Sequence, residues 1–322
     1  MGRRELGRAS LAAVQAVDAA LSQHDMRLLI ACSGGADSLA LAFAGRYVAT
    51  RRDLPYAAAV IDHGLQDASA DVAARVADQL ASLGYDDVSV ITVDVDESSA
   101  SGPESAAREA RYRALDAEAR ARAATVLLGH NLDDQAETVL LGLARGSGAR
   151  SLAGMAPRAG HLVRPFLHLR RTTTEQVCEE VGLEPWQDPH NSDRRFSRVR
   201  VRSTVLPTLE TELGPGVAEA LGRTAELLRD DNELLDQLAA AASRTAEGLG
   251  GTDTVDCTAL ESQPPALRRR ILRVWLLAHG LGDLSLQHIS AVESLVIDWH
   301  GQQAIQIPGA TVTRSAGRLR LG

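Results

Sequence analysis

The feature that most constrains this chain is a regular alternation of short apolar runs and helical patterns over residues 1–145. RLLIACS (27–33) reads as a buried strand and LALAFAGRYVA (39–49) as a helix. YAAAVID (56–62) is a second strand, and the Ala/Val/Leu pattern of 70–83 a second helix. DVSVITVD (87–94) and ESAAREARYRALDAEARAR (104–122) make a third pair, TVLLGH (125–130) and DDQAETVLLGLA (133–144) a fourth. Four strand–helix units in a row can satisfy their backbones and bury their apolar sides only as a parallel sheet covered on both faces. The predicted fold is therefore α/β, with a Rossmann-like parallel sheet. Such sheets bind ligands at the carboxyl ends of their strands.

Beyond residue 145 the alternation stops. RGSGARSLAGMAPRAGHLVRPF begins a loop segment (145–170) with a short hairpin, and a helix is expected over 172–182. An arginine-rich segment, DPHNSDRRFSRVRVRSTVLP, leads to a long helix at about 216–247 and a break at GLGGTD. The "LP" and "GPG" punctuation near 206–215 marks a domain boundary. The expected division is a catalytic domain, 1–208, and a smaller, mostly helical domain, 209–322. Alternation and glycine turns in IQIPGATVTRSAGRLRLG predict that the second ends in a short β-hairpin.

Composition narrows the function classes. No run of 18 apolar residues occurs, and no signal-type apolar core follows the basic MGRRELGRAS, so a cytoplasmic protein without a membrane span is expected. Cys32, Cys178 and Cys257 are far apart and form no C-x-x-C pair, which disfavours a zinc ribbon, a redox dithiol or a disulfide framework. The net charge of −8 argues against a general nucleic-acid binder, and 3% aromatic residues against a base-stacking platform. All 34 basic residues are arginine, so any charged phosphate contact must come from a guanidinium fork.

Two strand ends carry chemistry. After the first strand stands Ser33-Gly34-Gly35-Ala36-Asp37-Ser38. Glycines let backbone amides approach a ligand, and with two hydroxyls and a helix N-terminus they make an anion site. Asp37 beside phosphates makes sense with a divalent cation between them. No G-K-[ST] is present, so this is not a Walker A loop. A capped tight turn would explain the glycines alone, but not the whole pattern. After the fourth strand, GHNLDDQAET gathers His130, Asp133, Asp134 and Glu137 over one helical turn. Helix-dipole complementation accounts for one acid there, not three.

S-G-G-x-D-S resembles the PP-loop of the N-type ATP pyrophosphatases, which split ATP between the α and β phosphates. H-N-x-D-D-Q-x-E-T followed by Arg145-Gly146-Ser147-Gly148 is similar to one branch of them, the tRNA(Ile)-lysidine synthetase family. LAGM (152–155), RPF (164–166), WQDPHN (186–191), FSRVRVRSTVLPTLE (196–210) and IPGATVTR (307–314) follow in the order of that family, so the resemblance spans most of the chain. It implies ATP and Mg²⁺, with Ser33, Gly34, Gly35, Ala36, Asp37 and Ser38 on the leaving pyrophosphate and Asp37 near the metal. It implies a CAU-anticodon isoleucine tRNA and free L-lysine as the other substrates. The implied catalytic set is Asp37, Arg111, His130, Asp133, Asp134 and Glu137.

Arg111 enters through E-x-x-x-R-x-x-R-Y, in which Glu104, Arg108, Arg111 and Tyr112 share one helix face. The other charges of 104–122 read as a solvated helix. The partner of Arg111 stays open among the lysine α-carboxylate, the base and AMP. Asp62-His63-Gly64-Leu65 also fits the family, although Gln66 stands where arginine is usual. Backbone at Val60 and Ile61 is a candidate adenine contact. Arg194, Arg195, Arg198, Arg200 and Arg202 form a basic segment, and Arg268, Arg269, Arg270 and Arg273 a second; either can hold RNA phosphates despite the acidic total. The alternatives are a tRNA thiolase, or a non-catalytic nucleotide- or RNA-binding module, and homodimer formation is left open.

Overall fold

The computed structural model describes residues 6–62, 69–94, 103–146, 148–187, 193–245, 254–282 and 284–322. Among these the first strands and helices alternate as α1 (Arg8–Ala20), β1 (Leu28–Ala31), α2 (Ala36–Arg52), β2 (Tyr56–Asp62), α3 (Ser69–Ser82), β3 (Val88–Thr92), α4 (Pro103–Arg122), β4 (Thr125–Leu127) and α5 (Leu132–Ala144). A helical turn α6 (Gly148–Leu152), the hairpin β5 (Arg158–Ala159) and β6 (Leu162–Val163), and α7 (Arg171–Val181) follow. Then α8 (Ser197–Arg200) passes through a π-helical turn, Val201–Val205, into α9 (Leu206–Glu212), and α10 spans Val217–Thr245.

The sheet order is β3-β2-β1-β4-β6-β5, parallel except for the edge strand β5. The register places Leu28 beside both Tyr56 of β2 and Thr125 of β4. The chain thus winds one way from β1 to β3 and the other way from β4, which opens a crevice beyond the carboxyl ends of β1 and β4. Leu28, Leu29 and Ile30 are fully buried because β1 is covered on both faces. Leu28 and Ile30 pack with α1, α2 and α7, and Leu29 with α4. The expected parallel sheet with helices on both faces is what forms.

α1 was not expected from sequence. It docks through Ala9, Ala13, Val14 and Val17, one helical face of small residues. Glu180 of α7 fastens its first turn by accepting from the amides of Ala9 and Ser10 at 3.1 and 2.8 Å.

Contacts divide the chain into Met1–Gly146 with Gly154–Ala225, and Ser147–Ala153 with Glu226–Gly322. The second unit holds β7 (Thr254–Asp256), α11 (Cys257–Glu261), α12 (Pro265–Ala278), α13 (Leu286–Ile297), β8 (Ile305–Ile307), β9 (Ala310–Ser315) and β10 (Arg318–Leu321). Its sheet is antiparallel in the order β7-β10-β9-β8, so the expected terminal hairpin is the centre of a four-stranded sheet. Its core includes Leu272, Leu276, Val292, Leu295, Val312 and Leu319.

Here one expected RNA contact must be revised. Arg268 is interior, 7% exposed, and donates Nε–H to Glu293 Oε1 at 2.8 Å, with Glu293 only 2% exposed. Its Nη1 also serves the carbonyls of Glu261 and Gln263. Arg268 is therefore a core brace, because a buried charge must be paired and hydrogen-bonded. Arg269 shares Glu293 from a half-exposed position.

Candidate active site in the crevice between β1 and β4

After Ala31 the chain turns sharply into α2. Gly34 has φ +84°, the left-handed region that favours glycine, and a Cβ there would lie 2.4 Å from Val76 Cγ2. Gly35 is the N-cap of α2 and supplies no side-chain cap, so the leading amides of the helix are left for an anion. Ser33 is exposed, whereas Ser38 is buried and braces the loop. The Ser38 hydroxyl accepts from Ser33 N–H at 3.1 Å and donates to the Gly35 carbonyl at 2.9 Å. The backbone amide of Trp186 fixes the Gly34 carbonyl at 2.9 Å. The loop is thus shaped by hydrogen bonds of the protein itself.

The end of β4 meets the start of α2 because residue 129 has no side chain. A Cβ on Gly129 would stand 3.0 Å from the Asp37 carbonyl oxygen and 3.2 Å from Ser38 N. This closeness carries the next residues to the loop. Asn131, fully buried, is the N-cap of α5 in a reciprocal capping box with Asp134. Its Nδ2 donates to Asp37 Oδ1 at 2.8 Å, and the Thr174 hydroxyl donates to the same oxygen. Burial, helped by the charge of Asp134, pushes the Asp37 carboxyl above its ordinary value.

The three acids of α5 separate into distinct environments. Asp133 Oδ2 accepts from the amide of Arg171 at 2.8 Å, capping α7, while Oδ1 pairs with Arg170 at 3.0 Å. Asp134 commits Oδ2 to the capping box, and its Oδ1 receives Arg171 at 2.9 Å and Arg202 at 3.0 Å. Glu137, fully buried, is pushed up by that burial although Arg202 holds both its oxygens, at 2.6 and 3.0 Å. Arg198 lies 3.6 Å from Glu137 and is the next residue on that inward side. Arg198 and Arg202 are four positions apart, which puts both on one helical side as α8 passes into the π turn.

The arginine segment therefore has two faces. Arg198 and Arg202 point into the acid cluster. Arg194 and Arg195 lie outside, on Thr204 and Asp193, and Arg200 ties the segment together through the carbonyls of Arg194 and Arg195.

A cationic wall lies on the α4 side. The guanidiniums of Arg108 and Arg111 sit 5.0 and 5.6 Å from the centre of the Tyr112 ring. Burial lowers Arg111 from its ordinary value, and no carboxylate figures among the charges acting most strongly on it. Burial would raise Tyr112, but Arg108 and a hydrogen bond from Arg164 bring it down instead. Burial pulls His130 down to about 3 against the charge of Asp134, with Arg111, Arg164 and Arg108 adding to the shift. Among the described residues His130 Nδ1 is buried without a hydrogen-bond partner. The imidazole is neutral at ordinary pH beside a wall that favours an anion.

Of the expected site residues, Asp37, His130, Asp133, Asp134 and Glu137 come together in the crevice, with Arg111 on the α4 wall. Ile61 is the last residue but one of β2, the strand next to β1. Residues 63–68 and 188–192, and the side chain of Glu104, lie outside the described residues. Asn131, Arg170, Arg171 and Thr174 were missed. Asn131 was visible as an N-cap letter before an apolar helix, whereas the pairing of α7 with Asp37 is set by tertiary packing alone.

Comparison with known proteins decides the family. Residues 9–209 match the PP-loop domain, and residues 256–320 the TilS substrate binding domain. A tRNA(Ile)-lysidine synthase of Leifsonia xyli subsp. xyli is 54% identical over 295 residues, 91% of this chain and 88% of that protein. The chain belongs to the tRNA(Ile)-lysidine synthase family. A second lysidine synthase, from Thermobifida fusca, is 51% identical over 88% of this chain and 87% of its own. One from Streptomyces coelicolor is 49% identical over 90% and 83%. Among solved structures, the U34-tRNA thiolase NcsA from Methanococcus maripaludis with its [4Fe-4S] cluster shares the fold (TM-score 0.58, 18% identity, 69% of this chain and 80% of that one). In this lysidine synthase family member Cys32, Cys178 and Cys257 are all free and buried. No helix among the described residues is long and apolar enough to cross a membrane.

Proposed function

We propose that this chain ligates free lysine to C2 of the wobble cytidine in CAU-anticodon isoleucine tRNA, consuming ATP and releasing AMP and pyrophosphate. The observation that carries the reading is the tie of Asp134 to Asp37 of the glycine loop through Asn131, with Glu137 one turn further along α5. The loop suits a departing polyphosphate, and the acids suit the cation of an incoming amine.

In the first step the cytidine O2 attacks the α-phosphorus, the α–β bond breaks, and pyrophosphate leaves toward the loop amides and the N-terminus of α2. In the second the lysine ε-nitrogen attacks C2, the C2–O bond breaks, and AMP leaves. The amine must lose a proton. At a pKa of ~10.4 only about one lysine in 2,500 is neutral at pH 7, a cost of roughly 4–5 kcal/mol unless a base takes the proton. Glu137, raised by burial, is better placed to accept that proton than His130, which burial makes a very weak base. Arg111 and the neutral His130 line the side suited to an anion, the α-phosphate or the lysine carboxylate.

A divalent cation fits Asp37. Its carboxyl is raised by burial and by Asp134, a strain that a cation relieves. Among the described residues no three His, Cys, Asp or Glu side chains form a cage, so substrate phosphates would complete the shell, as Mg²⁺ favours. When bound, the ion supplies charge neutralisation on the leaving pyrophosphate. We assign 1–208 to catalysis and 209–322 to tRNA binding, with Arg194, Arg195 and Arg269 as phosphate contacts.

The test is incorporation of labelled lysine into CAU-anticodon isoleucine tRNA with ATP and Mg²⁺. Label in the tRNA, with AMP formed in equal amount, is expected. ATP turnover on that tRNA without lysine transfer would overturn the reading.

A further inference from the structure

The acids that the proposed amine needs are already occupied, and one of the occupying cations reaches farther than the others. Asp133, Asp134 and Glu137 are met by Arg170, Arg171, Arg198 and Arg202. Of these four, Arg171 alone also forms an ion pair with Asp37 among the described residues, Nε lying 3.7 Å from Oδ2. Its Nη2 lies 2.9 Å from Asp134 Oδ1 and 3.8 Å from Glu137 Oε1. One guanidinium thus spans the carboxylate at the glycine loop and the two carboxylates proposed to take the ammonium.

Its main chain is tied to α5, while its side chain is held by carboxylates alone. The Arg171 amide is held by Asp133 at 2.8 Å. The guanidinium is hydrogen-bonded to Asp134 and lies in looser ion pairs with Asp37 and Glu137, with 21% of the side chain exposed. An anion at the amides of α2 would offer it a stronger partner than Asp37 does, since guanidinium and phosphate bind as two matched forks. A guanidinium turned toward phosphates leaves Asp134 and Glu137 one positive neighbour short.

The geometry points to Arg171 as a positioning residue that couples the two small substrates. Without nucleotide it occupies the place of the substrate ammonium; with a nucleoside triphosphate bound it turns to the phosphates and gives that place up. Lysine then binds well only after the nucleotide. Linkage requires lysine to tighten the nucleotide by the same factor. The inference rests on the reading of lysine as the amine substrate.

Binding of labelled lysine by equilibrium dialysis tests it, on the full chain with and without Mg²⁺ and α,β-methylene-ATP. Native protein is expected to bind lysine at least tenfold more tightly with the analogue. Arg171→Met should bind lysine more tightly than native protein when nucleotide is absent, and its ratio should fall below about threefold. Arg171→Lys, which restores a cation, should recover part of the coupling. If Arg171→Met folds, binds the analogue and keeps the native ratio, the inference fails. Equal lysine affinity with and without nucleotide in native protein defeats it as well. If lysine binds in no state and enters no tRNA, the substrate reading itself falls. Lysine transfer with uncoupled binding overturns only the role of Arg171.

Discussion

Asp37 is the residue on which most of the site converges. Asn131, Thr174 and Arg171 all address its carboxylate, and burial raises it. Asp37→Asn keeps the shape but offers a cation and Arg171 far less. AMP release with CAU-anticodon tRNA is expected to fall by roughly 10²–10³-fold, the scale of losing one electrostatic stabiliser at a transition state. Unchanged release would remove Asp37 from the leaving-group chemistry.

At the opposite end of β4, Asp25 gives a stability test independent of the site. Its buried carboxylate accepts from Thr125 at 2.6 Å, Ser22 N–H at 2.6 Å and Arg158 at 2.7 Å. Burial opposes the charge, but these donors hold the carboxyl far below its ordinary value. Its contribution is therefore present above the unfolded pKa of about 3.9 and is lost as the pH falls below it. Asp25→Asn should cost roughly 1–3 kcal/mol in urea denaturation at pH 7. Between pH 5 and 3 the variant should lose less stability than native protein. The acids of the site were legible because they cluster in one motif. Asp25 was not, because its partners Thr125 and Arg158 lie 100 and 133 positions away.

At the scale of elements, the strand–helix alternation was readable because strands buried on both faces are written as unbroken apolar runs. α1 escaped because its buried face is alanine, serine and valine, too weak a contrast against an alanine-rich chain. The π turn escaped because nothing in VRSTV separates a π turn from an α-helical one; the difference lies in where Arg202 finds Glu137. The contact of Gly129 with α2 belongs to this scale too. In Gly129→Ala the new methyl meets backbone, which cannot rotate away. A loss of roughly 1–3 kcal/mol is expected in denaturation, together with slower lysine transfer, since the two motifs must move apart. A variant as stable and as fast as native protein would show that this close approach is not required.

At the scale of the whole molecule, the chain is acidic, and its arginines sort into inward and outward sets that composition cannot reveal. Arg198, Arg202 and Arg268 are turned to carboxylates, while Arg194 and Arg195 face outward with an exposed pair or hydroxyl. Replacing Arg194 and Arg195 by alanine should weaken tRNA binding. It should also flatten the plot of log affinity against log salt by about 0.7–0.9 for each lost phosphate contact. Filter binding from low to moderate salt measures this, and an unaltered slope would take both residues out of the interface. Sequence reasoning placed all nine arginines of 194–202 and 268–273 together as candidates, because direction is decided only when the π turn and α12 pack.

The same arginines bear on selectivity of another kind. An adenylated cytidine is an electrophile that reacts with whatever free amine reaches it. The cations around the acid cluster are guanidiniums, which do not act as nucleophiles. No lysine occurs anywhere in the chain. On the proposed reaction, an activated tRNA in this crevice would meet no ε-amine of the protein.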